Sequence, residues 1–161
     1  MTDITRAYDW EEKIWGRTCR QPVSALKDSE ERAGIKYSLV IQEGGCCSFH
    51  YHANRSNRFE VTSGVLRVVW AIGWELFHRD LRKGDSLLIR ANIPHQFQCL
   101  RGESYAKEIY LPDGGGVDVT DIVRMTTGVK LDSKSERFRT LVERPCVVLA
   151  DGSFRTPIKD D

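Results

Sequence analysis

From residue 36 onward, apolar residues come in short runs broken at glycines, and no run keeps a helical repeat. KYSLVIQ (36–42) is rich in β-formers and stops at Gly44-Gly45. CCSFHYH (46–52), RFEVT (58–62), VLRVVWA (65–71), WELFH (74–78), SLLIR (86–90), PHQFQCL (94–100) and SYAKEIYL (104–111) follow. Ser63-Gly64, Gly73 and Lys83-Gly84-Asp85 punctuate them. Strands this short, with turns this close, predict an all-β sandwich or barrel. No long amphipathic helix separates them, which disfavours a parallel sheet.

The flanks read differently. The first 34 residues are charged, with Trp10 and Trp15 as their large anchors. We take 1–34 as an N-terminal arm, 35–126 as the barrel and 127–161 as a C-terminal extension. Gly114-Gly115-Gly116 breaks the chain before VDVTDIVRM (117–125), which predicts one short helix starting near Thr120 or Asp121. Asp151-Gly152 between two apolar runs (146–158) predicts a hairpin. The fold class expected is therefore a single all-β domain with a short C-terminal helix and a hairpin appendage.

Composition narrows the partners. The 161 residues suit one domain with a sizeable core. Lys+Arg of 24 against Asp+Glu of 23 leave a net charge of +1, too little to steer the protein to nucleic acid or an anionic membrane. The longest apolar run, VVWAIGW (68–74), is far short of a membrane span. The polar start reads as no signal peptide. Five cysteines, an odd number without a CxxC pair, fit reduced thiols in a cytoplasm better than a disulfide frame or zinc finger. Open strands at the termini would need covering, which predicts a homodimer.

The chemistry concentrates in histidines. His50 and His52 lie two apart on one expected strand, so they share a face. Neutral imidazoles placed so chelate a metal without distorting the backbone. His95 opens another strand, and three convergent histidines would leave open positions for water or substrate. His78 is expected on the surface. Cys46 and Cys99 share strand parity with His50 and His95 but lie about 13 Å from them along a strand. Both are expected to line the barrel without ligating.

GGCCSFHYHANRSNRFEVTSG (44–64) resembles the first motif of the cupin superfamily: Gly44, five residues, H-x-H, four residues, Asn57 where a Glu is usual, six residues, Gly64. The second motif is matched by Gly84, then Arg90-Ala91-Asn92 in place of P-x-G, then His95, with Cys99 where Asn is usual. The resemblance implies a jelly-roll β-barrel, and a divalent metal ion (Zn, Mn, Ni, Co or Fe) held by His50, His52, Asn57 and His95.

K-I-W-G (13–16), Ser48, Arg55, Pro94-His95, Glu108 and D-I-V-R (121–124) look like the cupin domain of type II mannose-6-phosphate isomerases, often fused to mannose-1-phosphate guanylyltransferases. That resemblance implies a small-molecule substrate, a sugar or sugar phosphate. Glu108 would move a proton between adjacent carbons and Arg124 would hold the phosphate, with isomerase or epimerase chemistry as the outcome. Arg55, Arg58 and Arg90 flank the motifs as further anion contacts or surface charges. His50 stands where that branch usually has Gln, so the three-histidine set also resembles the Fe(II) centres of cupin dioxygenases. A binding cupin without chemistry is the third expectation.

Overall fold

The computed structural model describes residues 9–113 and 115–155. Its strands in chain order are β1 (Glu11–Lys13), β2 (Gly16–Arg20), β3 (Ile35–Ile41), β4 (Gly45–Cys46), β5 (His50–Tyr51), β6 (Arg55–Ser63), β7 (Val65–Ile72) and β8 (Glu75–Arg82). There follow β9 (Ser86–Ile89), β10 (His95–Gln98), β11 (Ser104–Pro112), β12 (Val123–Arg124), β13 (Val129–Lys130), β14 (Val147–Val148) and β15 (Phe154–Arg155). Two short helices, α1 (Ser29–Arg32) and α2 (Glu136–Glu143), stand outside the sheets.

All strand pairs are antiparallel. One sheet runs β1-β2-β3-β11-β6-β9. The other runs β12-β5-β10-β4-β13, with β7 also on β10 and β8 on β7. The N-terminal residues thus extend the first sheet through β1 and β2. The sheets face each other across Leu39, Ile41, Phe59, Leu66, Val68 and Phe97, with Trp15 edge-on to Phe97 at 4.8 Å. This is the expected all-β two-sheet barrel, produced by period-2 burial such as the alternation along β6.

Two motif positions show why their residue types matter. Gly64 turns β6 into β7 at φ 75, and a Cβ there would lie 2.6 Å from the Glu103 carbonyl oxygen. Asn92 takes the position of the usual second-motif glycine at φ 66, a conformation Asn tolerates better than most residues. Its N–H donates to the His52 carbonyl at 2.7 Å, tying the two motifs together.

Three expectations are corrected. The run 46–52 is not one strand. Cys46 lies opposite Gln98 and His50 opposite His95, so four steps on one strand face three on the other. The extra residue is a bulge that switches parity. Cys46 therefore turns away from the barrel, into a cluster with Val129, Leu131 and Leu141, while Cys47 faces in.

The second correction concerns 117–125, which is not a helix. Asp118 accepts from the Thr120 N–H and Asp121 from the N–H groups of Ala53 and Asn54. Such side-chain bonds compete with helix, and Val117, Val119, Ile122 and Val123 add β-branched resistance. The segment instead ends in β12, paired with β5. Third, the longer helix is α2, within the charged stretch, capped by Ser135 and burying Phe138 and Leu141. The Asp151-Gly152 hairpin forms as β14 and β15, with Gly152 at φ 78; residues 156–158 of its expected second run lie outside the described residues.

Two fully buried amides fasten this extension. Gln96 Nε2 donates to the carbonyls of Cys47 (2.7 Å) and Val148 (3.0 Å), and its Oε1 accepts from the Val148 N–H. Gln98 Nε2 donates to the Cys146 carbonyl at 2.7 Å. Gln96→Leu strips partners from buried backbone groups, each worth about 1–3 kcal/mol. We expect a loss on the order of 3 kcal/mol in urea unfolding, with early protease cleavage in 146–155. Unchanged stability would contradict this role.

Candidate metal centre

Register brings the imidazoles together. His50 and His95 sit directly opposite each other on β5 and β10, and His52 follows one pleat on. All three are buried. Ring centroids are 4.9 Å apart for His50–His52, 4.6 Å for His50–His95 and 5.4 Å for His52–His95. One ligand atom from each lies within 4.8 Å of the others.

Each ring's Nδ1 meets a backbone carbonyl. The distances are 2.8 Å from His50 to Ser48, 2.6 Å from His52 to Asp121 and 2.9 Å from His95 to Ile93. A carbonyl only accepts, so each Nδ1 carries the proton and each Nε2 presents a lone pair. Burial holds the rings neutral. It pulls His52 down to about 3, helped by Arg55, and His95 down to about 4. His50 is pushed well below the usual imidazole range by burial and by the other two rings. No proton has to leave before a cation binds.

Asn57, from β6 in the facing sheet, closes the site. Its Nδ2 lies 3.0 Å from His52 Nε2, 3.5 Å from His95 Nε2 and 3.0 Å from Glu108 Oε2. Two N–H groups thus face three acceptors, while Asn57 Oδ1 is buried without a partner. Three converging Nε2 lone pairs fit a divalent cation, and the chain carries a divalent-metal site at His50, His52 and His95. Asn57 meets two of those nitrogens through Nδ2, so its Oδ1 would face a bound ion only with the amide turned over. Cys47 is no rival ligand. Its thiol is pushed well up by burial, and its Sγ is engaged by the Phe97 N–H at 3.2 Å.

The site opens into a cavity of about 370 Å³ that reaches His50, His52, Arg55, Glu108, Tyr110 and Arg124. Glu108 is buried on β11 and bonded to Tyr110 Oη at 3.2 Å. Burial raises its carboxyl to about 7, although Arg55 and the hydrogen bonds from Tyr110 and Asn57 pull the other way. Arg124 is exposed at the mouth, opposite His50 across β12 and β5. Of the flanking arginines, Arg58 turns out to Glu30, Glu31 and Glu60, and Arg90 is exposed. His78 is exposed on β8, as expected.

Arg55 was open between pocket and surface, and it proves to be pocket. It is 2% exposed, lies 3.7 Å above the Tyr110 ring and donates to the Asp118 carbonyl at 3.0 Å. Its Nε has no hydrogen-bond partner, and no carboxylate pairs with it among the described residues. The signal was parity: Arg55, Asn57, Phe59 and Val61 alternate along the inner face of β6. Tyr110 lines the same cavity.

A family model described as Cupin matches residues 23–109. A search of curated proteins returns no match. Among solved structures, the chain resembles the oxalate decarboxylase OxdC of Bacillus subtilis, with a TM-score of 0.61, 16% identity, and 85% of this chain over 34% of that one. It also resembles the Lactobacillus farciminis oxalate decarboxylase in its formate complex (TM-score 0.59, 15% identity, 85% and 38%). CapF with the inhibitor 3-isopropenyl-tropolone is similar as well (TM-score 0.61, 14% identity, 81% and 36%). The chain spans about a third of the length of these proteins, and the likeness is one of fold. No helix among the described residues is long and apolar enough to cross a membrane.

Elemental analysis of protein purified without added metal is expected to find one divalent ion per chain. Individual His50→Ala, His52→Ala and His95→Ala changes should each lose it, and Cys47→Ser should keep it. Retention by His95→Ala, or loss in Cys47→Ser, would overturn the ligand set.

Proposed function

The chain belongs to the cupin family, and from that premise we propose that it is a metal-dependent enzyme acting on a small anionic carbohydrate, a sugar or sugar phosphate, by proton transfer between adjacent carbons. The observation that carries this reading is the single Asn57 amide that touches both His52 Nε2 and Glu108 Oε2 at 3.0 Å. Metal pole and candidate base therefore share one wall of one cavity. A bound divalent ion would supply Lewis acidity toward a carbonyl or enediolate oxygen.

Glu108 is the proposed catalytic residue. A carboxyl raised to about 7 exchanges protons near neutrality, where an ordinary carboxylate is too weak a base. Tyr110 and Asn57 fix its two oxygens. The buried, unpaired Nε of Arg55 and the exposed guanidinium of Arg124 are the proposed anion contacts, Arg55 inside and Arg124 at the mouth. The finer likeness to the mannose-6-phosphate isomerase branch is part of this proposal and rests on D-I-V-R, Glu108 and the first motif.

A second reading has its own support. The three neutral imidazoles resemble the three-histidine Fe(II) centres of cupin dioxygenases, and imidazole nitrogen is a ligand that iron accepts. It predicts oxygen uptake that depends on substrate, which the isomerase reading does not.

The discriminating experiment follows solvent deuterium into hexose phosphates by NMR, with protein loaded separately with each candidate metal. Incorporation at the carbon beside the carbonyl is expected. Glu108→Gln should slow it at least about a hundredfold, the scale of general acid–base catalysis, while leaving metal content unchanged. No exchange with any metal would overturn the reading and favour a binding role, and exchange undiminished in Glu108→Gln would overturn the assignment of Glu108.

A further inference from the structure

We propose that the open edge of β8 pairs antiparallel with the same edge of a second copy of this chain, about a two-fold axis at Phe77. The proposal is independent of the metal site. Among the described residues, β8 pairs with β7 alone, although it is eight residues long and holds neither proline nor glycine. Such an edge is a template for another strand. Apolar side chains crowd its turn end: Ile72 and Phe77 are exposed, Trp74 is 77% exposed, and Trp70 stacks on Phe77 at 5.9 Å.

The hairpin turn sets which residues face outward. Gly73 and Trp74 form a two-residue turn closed by Ile72 and Glu75, with Gly73 at φ 62 in its first position. The closing pair of such a turn is hydrogen-bonded, and the pattern alternates along an antiparallel ladder. Glu75, Phe77 and Arg79 therefore spend their backbone groups on β7. Leu76, His78 and Asp80 turn theirs to the open edge.

Charge then selects the register. Two-fold pairing that keeps both faces of the sheet places residues of like parity opposite each other. With the axis at Phe77, the two Phe77 rings meet, Leu76 bonds His78 of the second copy, and Glu75 faces Arg79 at both ends. Moving the axis to Arg79 sets two arginines together. Moving it to His78 leaves Leu76 against Asp80 and no opposite charges paired. An axis at Asp80 sets two aspartates together. Among the registers that keep most of ELFHRDLR paired, the one at Phe77 is thus where opposite charges meet and like charges do not, and opposite charges across strands stabilise it. The occupant that fits is a second copy.

Sedimentation of the full chain tests this, with a dimer expected at micromolar concentration. Arg79→Glu and Glu75→Arg each set like charges opposite at both ends and should weaken the dimer about tenfold. The double swap E75R/R79E should restore it. Phe77→Cys should cross-link under mild oxidation, because a pair without ladder bonds has Cα atoms about 4.5 Å apart, within disulfide reach. Arg79→Cys should not. A wild-type chain that stays monomeric at ~100 µM overturns the proposal. So does a dimer indifferent to all three charge variants, or one that cross-links at Arg79→Cys but not at Phe77→Cys.

Discussion

Three carbonyl oxygens hold the centre of this molecule in one chemical state. Those of Ser48, Asp121 and Ile93 each take the Nδ1 proton of a buried imidazole and so aim three Nε2 lone pairs at one point. The three peptides come from unrelated places: the bulge between β4 and β5, the loop before β12, and the turn into β10. The bulge is therefore functional geometry. It points Cys46 away from the barrel and His50 into it. The loop before β12 is pinned by Asp121, whose carboxylate takes the Ala53 and Asn54 N–H groups while its carbonyl orients His52. Tautomer, ring orientation and loop conformation are one constraint.

Charge around that point is unevenly shared. The imidazoles and Asn57 are neutral, so a divalent ion among them keeps its full charge. The nearest carboxyl, Glu108, sits behind the Asn57 amide and is itself raised by burial. Arg55 adds a buried positive group whose Nε is unpaired. A cavity with a cation site at its floor, a guanidinium on its wall and a buried carboxyl raised toward neutrality favours an anionic ligand with an oxygen able to reach the metal. This electrostatic pattern is why the proposed substrate is acidic and small.

Much of this was legible in the sequence, because strand parity is a strict code. His50 and His52 two apart, His95 at a strand start, and Asn57 at its motif position all converge as their spacing implies. Glu60, three positions from Asn57, faces outward to Arg58 as the same parity requires. What was not legible followed from breaks in that code. The bulge moved Cys46 out of the barrel. Local hydrogen bonds of Asp118 and Asp121 turned an apparent helix at 117–125 into a pinned loop. The Arg55 charge hid a pocket residue whose parity with Asn57 already pointed inward. The fastening of 146–148 by Gln96 and Gln98 had no sequence signature, because amides on an outer strand face ordinarily meet water.

The most direct test of this account is X-ray absorption at the metal edge of the purified protein. The account predicts multiple scattering from three imidazole rings with metal–nitrogen distances of about 2.0–2.1 Å if the ion is zinc, the remaining shell made of oxygen, and no sulfur. A thiolate in the shell, or fewer than three imidazoles, would contradict it.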